Sequence, residues 1–271
     1  MVNAILSLLT AVLCFVAVVF LVDQQLVKPK PYKVVWAIGL FVYGVGATAQ
    51  MFGTMGHWTA TEYRFWYLAG AILSAPYLGM GTYYLLGPRK WADRVMAGLG
   101  IFTAYAVIRM LTVPLVPQAV KGKVWSLHGL TLNQWFHTAA STDIITGSHP
   151  LAPPDIIFVI IVLNTLGAGT LVFGAAWSAW KFYQTRQNPT RLYSMILLVV
   201  GGLAPTLAGT MTKLGFPSAF FVLTFVGALF LLAGYLVSID VFSVLRIPFT
   251  DKVLLDRRLP LGSVLAEHAQ K

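Results

Sequence analysis

The sequence predicts an all-α, polytopic membrane protein with seven transmembrane helices, and three observations carry that prediction. Apolar residues make up 58% of the 271-residue chain and charged residues only 10%, with a mean hydropathy of +0.75. About a quarter of an ordinary globular chain is charged, so a soluble domain of this length could not hide so much apolar surface. The apolar residues are gathered into runs of the roughly 20-residue length that crosses a bilayer as a helix. Prolines 29, 31, 88, 117, 153, 154, 189 and 217 stand at the junctions between runs, where helices are punctuated.

The runs fall at about 3–26, 33–55, 63–87, 93–116, 155–181, 191–213 and 217–240. The first opens with MVNAILSLLT, which has no basic n-region, and it outruns a signal-peptide core, so it reads as a retained helix. Cys14, the one cysteine, lies inside it and reads as a small packing residue. The second run carries Gly39, Gly44 and Gly46, the third Gly79 and Gly81, the fifth Gly167, Gly169 and Gly174, and the sixth Gly201 and Gly202. Small residues of this kind let helix backbones approach closely in a bilayer. Pro205 lies inside the sixth run, where it kinks a helix and frees a backbone carbonyl. Residues 1–240 thus form one bundle, with 117–153 as its long connection, and residues 241–271 form a tail.

The formal net charge of +10 sits mainly in short loops, which marks topology determinants and contact with membrane lipids rather than nucleic-acid binding. One side of the membrane receives Lys28, Lys30, Lys33, Arg89, Lys90, Arg94, Lys181, Arg186, Arg191 and the tail's Arg246, Lys252, Arg257, Arg258 and Lys271. The other receives Arg64, Lys121, Lys123 and Lys213. The positive-inside rule then places the N-terminus outside and the tail in the cytoplasm, as expected of a multi-pass protein of the inner membrane. Trp36, Trp91, Trp177 and Trp180 are expected at the inner interface, and Trp58 and Trp66 at the outer one. A shift of 156 residues lays the first three runs on the last three and GTM at 53–55 on GTM at 209–211. That echo suggests a parallel 3+1+3 repeat of the kind found in transporters.

Polar residues inside such a chain are the candidates for chemistry. Arg109 lies at depth in the fourth run, where a cation needs a partner, a wet cavity or a route to the interface. Gln50, Asn164 and Thr206 fall in the outer halves of their runs, and Glu62 lies in the short connection that also holds His57 and Arg64. Two readings follow. In one, Arg109 anchors an anionic ligand in an outward-facing pocket, with Glu62 as counter-charge and Gln50, Asn164 and Thr206 as hydrogen-bonding walls. In the other, these groups satisfy one another and hold helices together, while Thr59 or Thr61 caps the third helix with Glu62 in its first turn.

No metal is expected. His57, His128, His137, His149, Asp143 and Asp155 share the outer side, but none of them makes a ligand spacing such as HxxxH or HExxH. The connecting segment 117–153, with Trp125, Leu130, Leu132, Trp135 and Phe136, reads as an interfacial strap or a lid. No paired catalytic acids, nucleophile with its base, or nucleotide motif is present, so the expected class is non-enzymatic. Covalent retinal is excluded because 217–240 contain no lysine.

The segments GLFVYGVGATAQ and EYRFWYLAGAILSAPYLGMGTYYLL, within residues 36–90, resemble a set of uncharacterised seven-helix bacterial membrane proteins. They also resemble the seven-helix sensor module found ahead of some histidine kinases. The resemblance implies a sensory module without its kinase, passing its output to a protein partner in the membrane or at the cytoplasmic tail. Three functional classes follow: a ligand-binding or sensory module, an accessory subunit of an electron-transfer or pigment complex holding lipid, quinone or pigment, and a small-solute transporter. Transport ranks last because the inner halves of the runs are poor in polar residues, Ser178 and Ser194 being among the few.

Overall fold

The computed structural model describes residues 1–55, 59–112, 154–185, 189–213, 216–238, 244–246, 248–250 and 253–256. The long connection 117–153, with its tryptophans and histidines, lies outside the described residues, as do His57 and Trp58. Helices α1 (Val2–Val27) and α2 (Pro31–Thr54) form the first hairpin. The third run holds α3 (Ala60–Phe65), a π-helical segment (Trp66–Leu73) and α4 (Ser74–Leu86), which follow one another without a break. Next come α5 (Arg89–Thr112), α6 (Pro154–Thr185), α7 (Pro189–Lys213) and α8 (Pro217–Val237). Among the described residues α1, α2, α5, α6, α7 and α8 are each long and apolar enough to cross a membrane, which makes the chain a helical, multi-pass membrane protein.

The tail adds an element the composition did not announce. Strands β1 (Val244–Arg246) and β2 (Val253–Asp256) pair antiparallel, with Leu245 opposite Leu255 and a register irregularity between Leu245 and Arg246. Prolines open α2, α6, α7 and α8, where a missing N–H costs nothing because the first turn has no intrahelical acceptor. Several threonine hydroxyls return to their own helix backbone: Thr10 donates to Leu6 O (2.7 Å), Thr48 to Gly44 O (2.8 Å) and Thr170 to Leu166 O (2.6 Å).

The π segment has a local cause. Pro76 stands inside the third run, where its ring conflicts with the carbonyl four residues back and it has no N–H to give. Widening the turn to an i→i+5 pattern relieves the conflict, and the Ser74 N–H accordingly donates to Ala69 O. Side chains then serve carbonyls of the widened turns. Ser74 Oγ donates to Gly70 O (2.8 Å), and Asn164 Nδ2 of α6 donates to Ala71 O (2.6 Å). Ala71 lies five residues before Pro76, the position whose N–H would otherwise reach it in this register.

One core joins α1, α2, α4, α6, α7 and α8, and Trp36 of α2 is at its centre, only 1% exposed. Its Nε1–H donates to Leu78 O (3.1 Å) and approaches Thr82 Oγ1 at 3.4 Å. Its ring lies 4.8 Å from that of Tyr235 on α8 and 5.3 Å from that of Tyr32. Trp36 is therefore not the interfacial aromatic its position near a helix end suggested, whereas Trp91, Trp177 and Trp180 are exposed. The Tyr43 hydroxyl donates to Thr224 O (3.0 Å), and Ser194 Oγ to Gly234 O (2.8 Å), tying α8 to α2 and α7. Pro205 is inside α7 as expected, with its ring against Gly227, and Gly201 O faces the same glycine.

Lys33 is a second correction. It does not lie in a solvated loop but is 1% exposed, and its Nζ donates to Gln24 O (3.0 Å) and Lys28 O (3.1 Å) at the C-terminus of α1. A cation there adds a second donor to Gln24 O, which also accepts the Lys28 N–H, caps Lys28 O just beyond the helix and meets the negative end of the helix dipole.

Backbone contact sets the α4–α6 distance, since a Cβ on Gly79 would fall on Gly167 O. Gly79→Ala is therefore expected to destabilise the bundle by about 1–3 kcal/mol. Gly98→Ala, at a position with nothing within 4 Å, is expected to be neutral or stabilising by about 0.5–1 kcal/mol. Unfolding of both variants in mixed micelles checks the contrast, and equal midpoints would refute it. Trp36→Phe, which removes one donor from Leu78 O while the Thr82 hydroxyl still donates to it (3.2 Å), is expected to cost about 0.5–1.5 kcal/mol in the same measurement.

Candidate functional site

Of the polar residues singled out from the sequence, Glu62 lies in α3 and Asn164 meets the π segment, whereas Thr206 does not join them. Thr59 and Glu62 form a capping box at the start of α3: the Thr59 N–H donates to Glu62 Oε2 (2.8 Å), and the Glu62 N–H to Thr59 Oγ1 (3.2 Å). Both N–H groups would lack an intrahelical acceptor, so the carboxylate is engaged by the chain itself and also favours the positive end of the helix dipole.

Arg64, one turn further along, donates through Nη1 to Met110 O in the last turn of α5. That bond places a guanidinium where α5 presents its C-terminal carbonyls. Arg109 lies in the same last described turn and is partly exposed, while residues 113–116 lie outside the described residues. The third run and α5 are joined again by Tyr77 Oη and Thr103 Oγ1, 3.1 Å apart, and by the Tyr84 hydroxyl donating to Asp93 Oδ1 (2.8 Å).

Asn164 and Thr206 have different surroundings. Asn164 is partly buried on α6, where its amide holds the π-segment carbonyl Ala71 O. Thr206 is exposed on α7 and donates to Gly202 O (3.1 Å) of its own helix. The structure thus gathers Glu62, Arg64 and Arg109 near the ends of α3 and α5, sets Asn164 against the π segment, and leaves Thr206 on an outer face.

Gln50 is the exception in this group. It is 5% exposed, and its Nε2 meets no hydrogen-bond partner. It shares a stripe of α2 with Gly46, one turn below, where the α2 backbone touches the π segment. A Cβ on Gly46 would come within 2.8 Å of Gly70 N. A buried amide donor left without an acceptor costs about 1–3 kcal/mol, so its retention calls for an explanation. Among the described residues the other such atom is Tyr235 Oη, inside the aromatic cluster around Trp36.

The described residues hold no group of three or more His, Cys, Asp or Glu side chains placed to bind a metal, and all five histidines lie outside them. What this region offers is therefore a buried amide donor, a widened helix with side-chain-capped carbonyls and two cations at a helix end. Sequence reasoning missed the π segment and the role of Arg64. Pro76 was the available signal for the first, and the second depends on where α5 ends.

Asn164→Leu keeps the volume of the side chain but leaves Ala71 O unpaired. It is expected to lower stability by about 0.5–2 kcal/mol, the range of interhelical hydrogen bonds in membranes, as read by an unfolding titration in mixed micelles. No loss would mean that the carbonyl finds another donor.

No protein-family model matches the chain, and no curated protein or solved structure matches it.

Proposed function

We propose that this protein is a non-enzymatic, ligand-binding sensory module of the inner membrane, with seven spans, its N-terminus outside and its tail in the cytoplasm. On this reading α3, the π segment and α4 together make the seventh crossing. The ligand meets the outer half of the bundle beside the π segment and offers an acceptor oxygen to Gln50. The observation that carries the reading is the Gln50 Nε2, a donor buried in the bundle without an acceptor. Two features support it. A run of π-helix is rare and recurs at functional sites because it widens the helix and re-aims side chains. Arg64 and Arg109 bring two guanidinium groups to the last described turn of α5, and their positive charge would favour an anionic part of a ligand.

A second reading, an accessory subunit of a larger membrane complex, has its own observation. Helix α5 lies at the edge of the bundle with Ile101, Ile108 and Leu111 exposed, and a Cβ at Gly98 or Gly100 would meet nothing within 4 Å. Small residues on an open face suit close approach by a neighbouring helix.

Gentle extraction followed by native mass spectrometry distinguishes the two. The sensory reading expects a lone protein carrying a small molecule, with binding reduced about ten-fold or more in Gln50→Leu because a hydrogen bond in a desolvated site is lost. Companion subunits that remain bound to the Gln50→Leu protein would favour the accessory role. A small molecule held equally by the wild type and Gln50→Leu would remove Gln50 from the site.

A further inference from the structure

Among the described residues the tail hairpin meets the bundle at Asp23. Asp23, near the C-terminus of α1, is 1% exposed, and its Oδ1 accepts the Phe249 N–H at 2.9 Å. Phe249 lies in the turn between β1 and β2 and has φ +60°, a left-handed conformation that is unusual for a residue with a large side chain. The residue is 61% exposed, so burial is not what holds it in that conformation. A carboxylate acceptor is. A hydrogen bond to an ionised group is roughly twice as strong as a neutral one, and a buried carboxylate left without donors is costly.

The mooring is also rigid. Residue 24, next to Asp23, supplies one of the carbonyls that Lys33 grips, and the Lys28 N–H donates to the same Gln24 O (3.0 Å). At the same corner the Lys30 N–H donates to Gln25 Oε1 (2.8 Å), and Pro31 starts α2. Asp23 is therefore carried on a turn of α1 held by the Lys33 side chain and by the Lys28 and Lys30 N–H groups.

We propose that the hairpin of β1 and β2 is a latched tail, held against the bundle through the Asp23 carboxylate at Phe249, and that breaking this contact frees the hairpin while the helices stay packed. A strained turn clasped by a buried acceptor has two states, docked with the bond made and released with the turn relaxed. The tail thereby becomes a switchable element at the membrane surface where α1 ends. The latch does not depend on what Gln50 binds.

Hydrogen exchange of the full chain in lipid nanodiscs, read by mass spectrometry, tests this. Asp23→Ala is expected to speed exchange across 244–256 by roughly ten-fold or more, the worth of a hydrogen bond to a charged acceptor, with the centre of α2 unchanged. Asp23→Asn, which keeps an acceptor oxygen, is expected to lie between it and the wild type. Hairpin exchange unchanged in Asp23→Ala, or hairpin and α2 loosened equally, overturns the latch. Phe249→Gly gives a second test that leaves the buried carboxylate intact. Glycine adopts positive φ without the steric cost, so the docked state gains and hairpin exchange is expected to slow roughly five-fold. Unchanged or faster exchange in that variant overturns the latch even if Asp23→Ala fails to fold.

Discussion

The rest of the bundle is arranged around the indole of Trp36. It lies where α2, α4 and α8 converge, and it is held by one hydrogen bond to a main-chain carbonyl and by two aromatic neighbours. In a bilayer the hydrophobic effect does not bring helices together, because lipid tails are as apolar as the side chains. Shape and hydrogen bonding must do so. Trp36 supplies both. Its ring needs the missing side chain of Gly81, and its N–H needs Leu78 O, a carbonyl on the same face of α4. Once that contact is made, the direction of α4 against α2 is set, and with it the meeting of α4 and α6 at Gly79 and Gly167.

The same economy of polar contact runs through the molecule. In an apolar medium each backbone group needs a partner, and several departures from regular helix among the described residues carry a dedicated side chain. Asn164 serves the widened turns before Pro76, Lys33 the end of α1, Arg64 the end of α5, and Glu62 the start of α3. Many of the polar residues that stand out in the composition are accounted for in this way, as the partners of irregular backbone. Gln50 is set apart because no such backbone group claims its amide nitrogen.

That contrast also shows how legible the candidate site was. Helix lengths and boundaries could be read to within a few residues, because a bilayer imposes one length scale and proline marks the ends. A threonine cap at 59 or 61 with Glu62 in the first turn was also legible, because such signals are local, and the structure selects Thr59. Asn164 and Gln50 could not be told apart in the sequence: both are amides in the same half of an apolar run. Their difference arises from a proline at position 76, nearly ninety positions from Asn164, and from which carbonyl that proline leaves open.

The sequence by itself determined the class of the protein, its helical segments and the glycines that permit close packing. These follow from composition and period, which are properties of single segments. Only the tertiary structure decided that Trp36 and Lys33 are buried rather than interfacial, that the third run widens into a π segment held by Asn164, and that the tail folds into a hairpin clasped by Asp23. Each of these joins groups far apart in the chain, and Asp23 and Phe249 are separated by 226 positions. A polar atom in an apolar medium takes its meaning from the partner it finds, and that partner is chosen by packing.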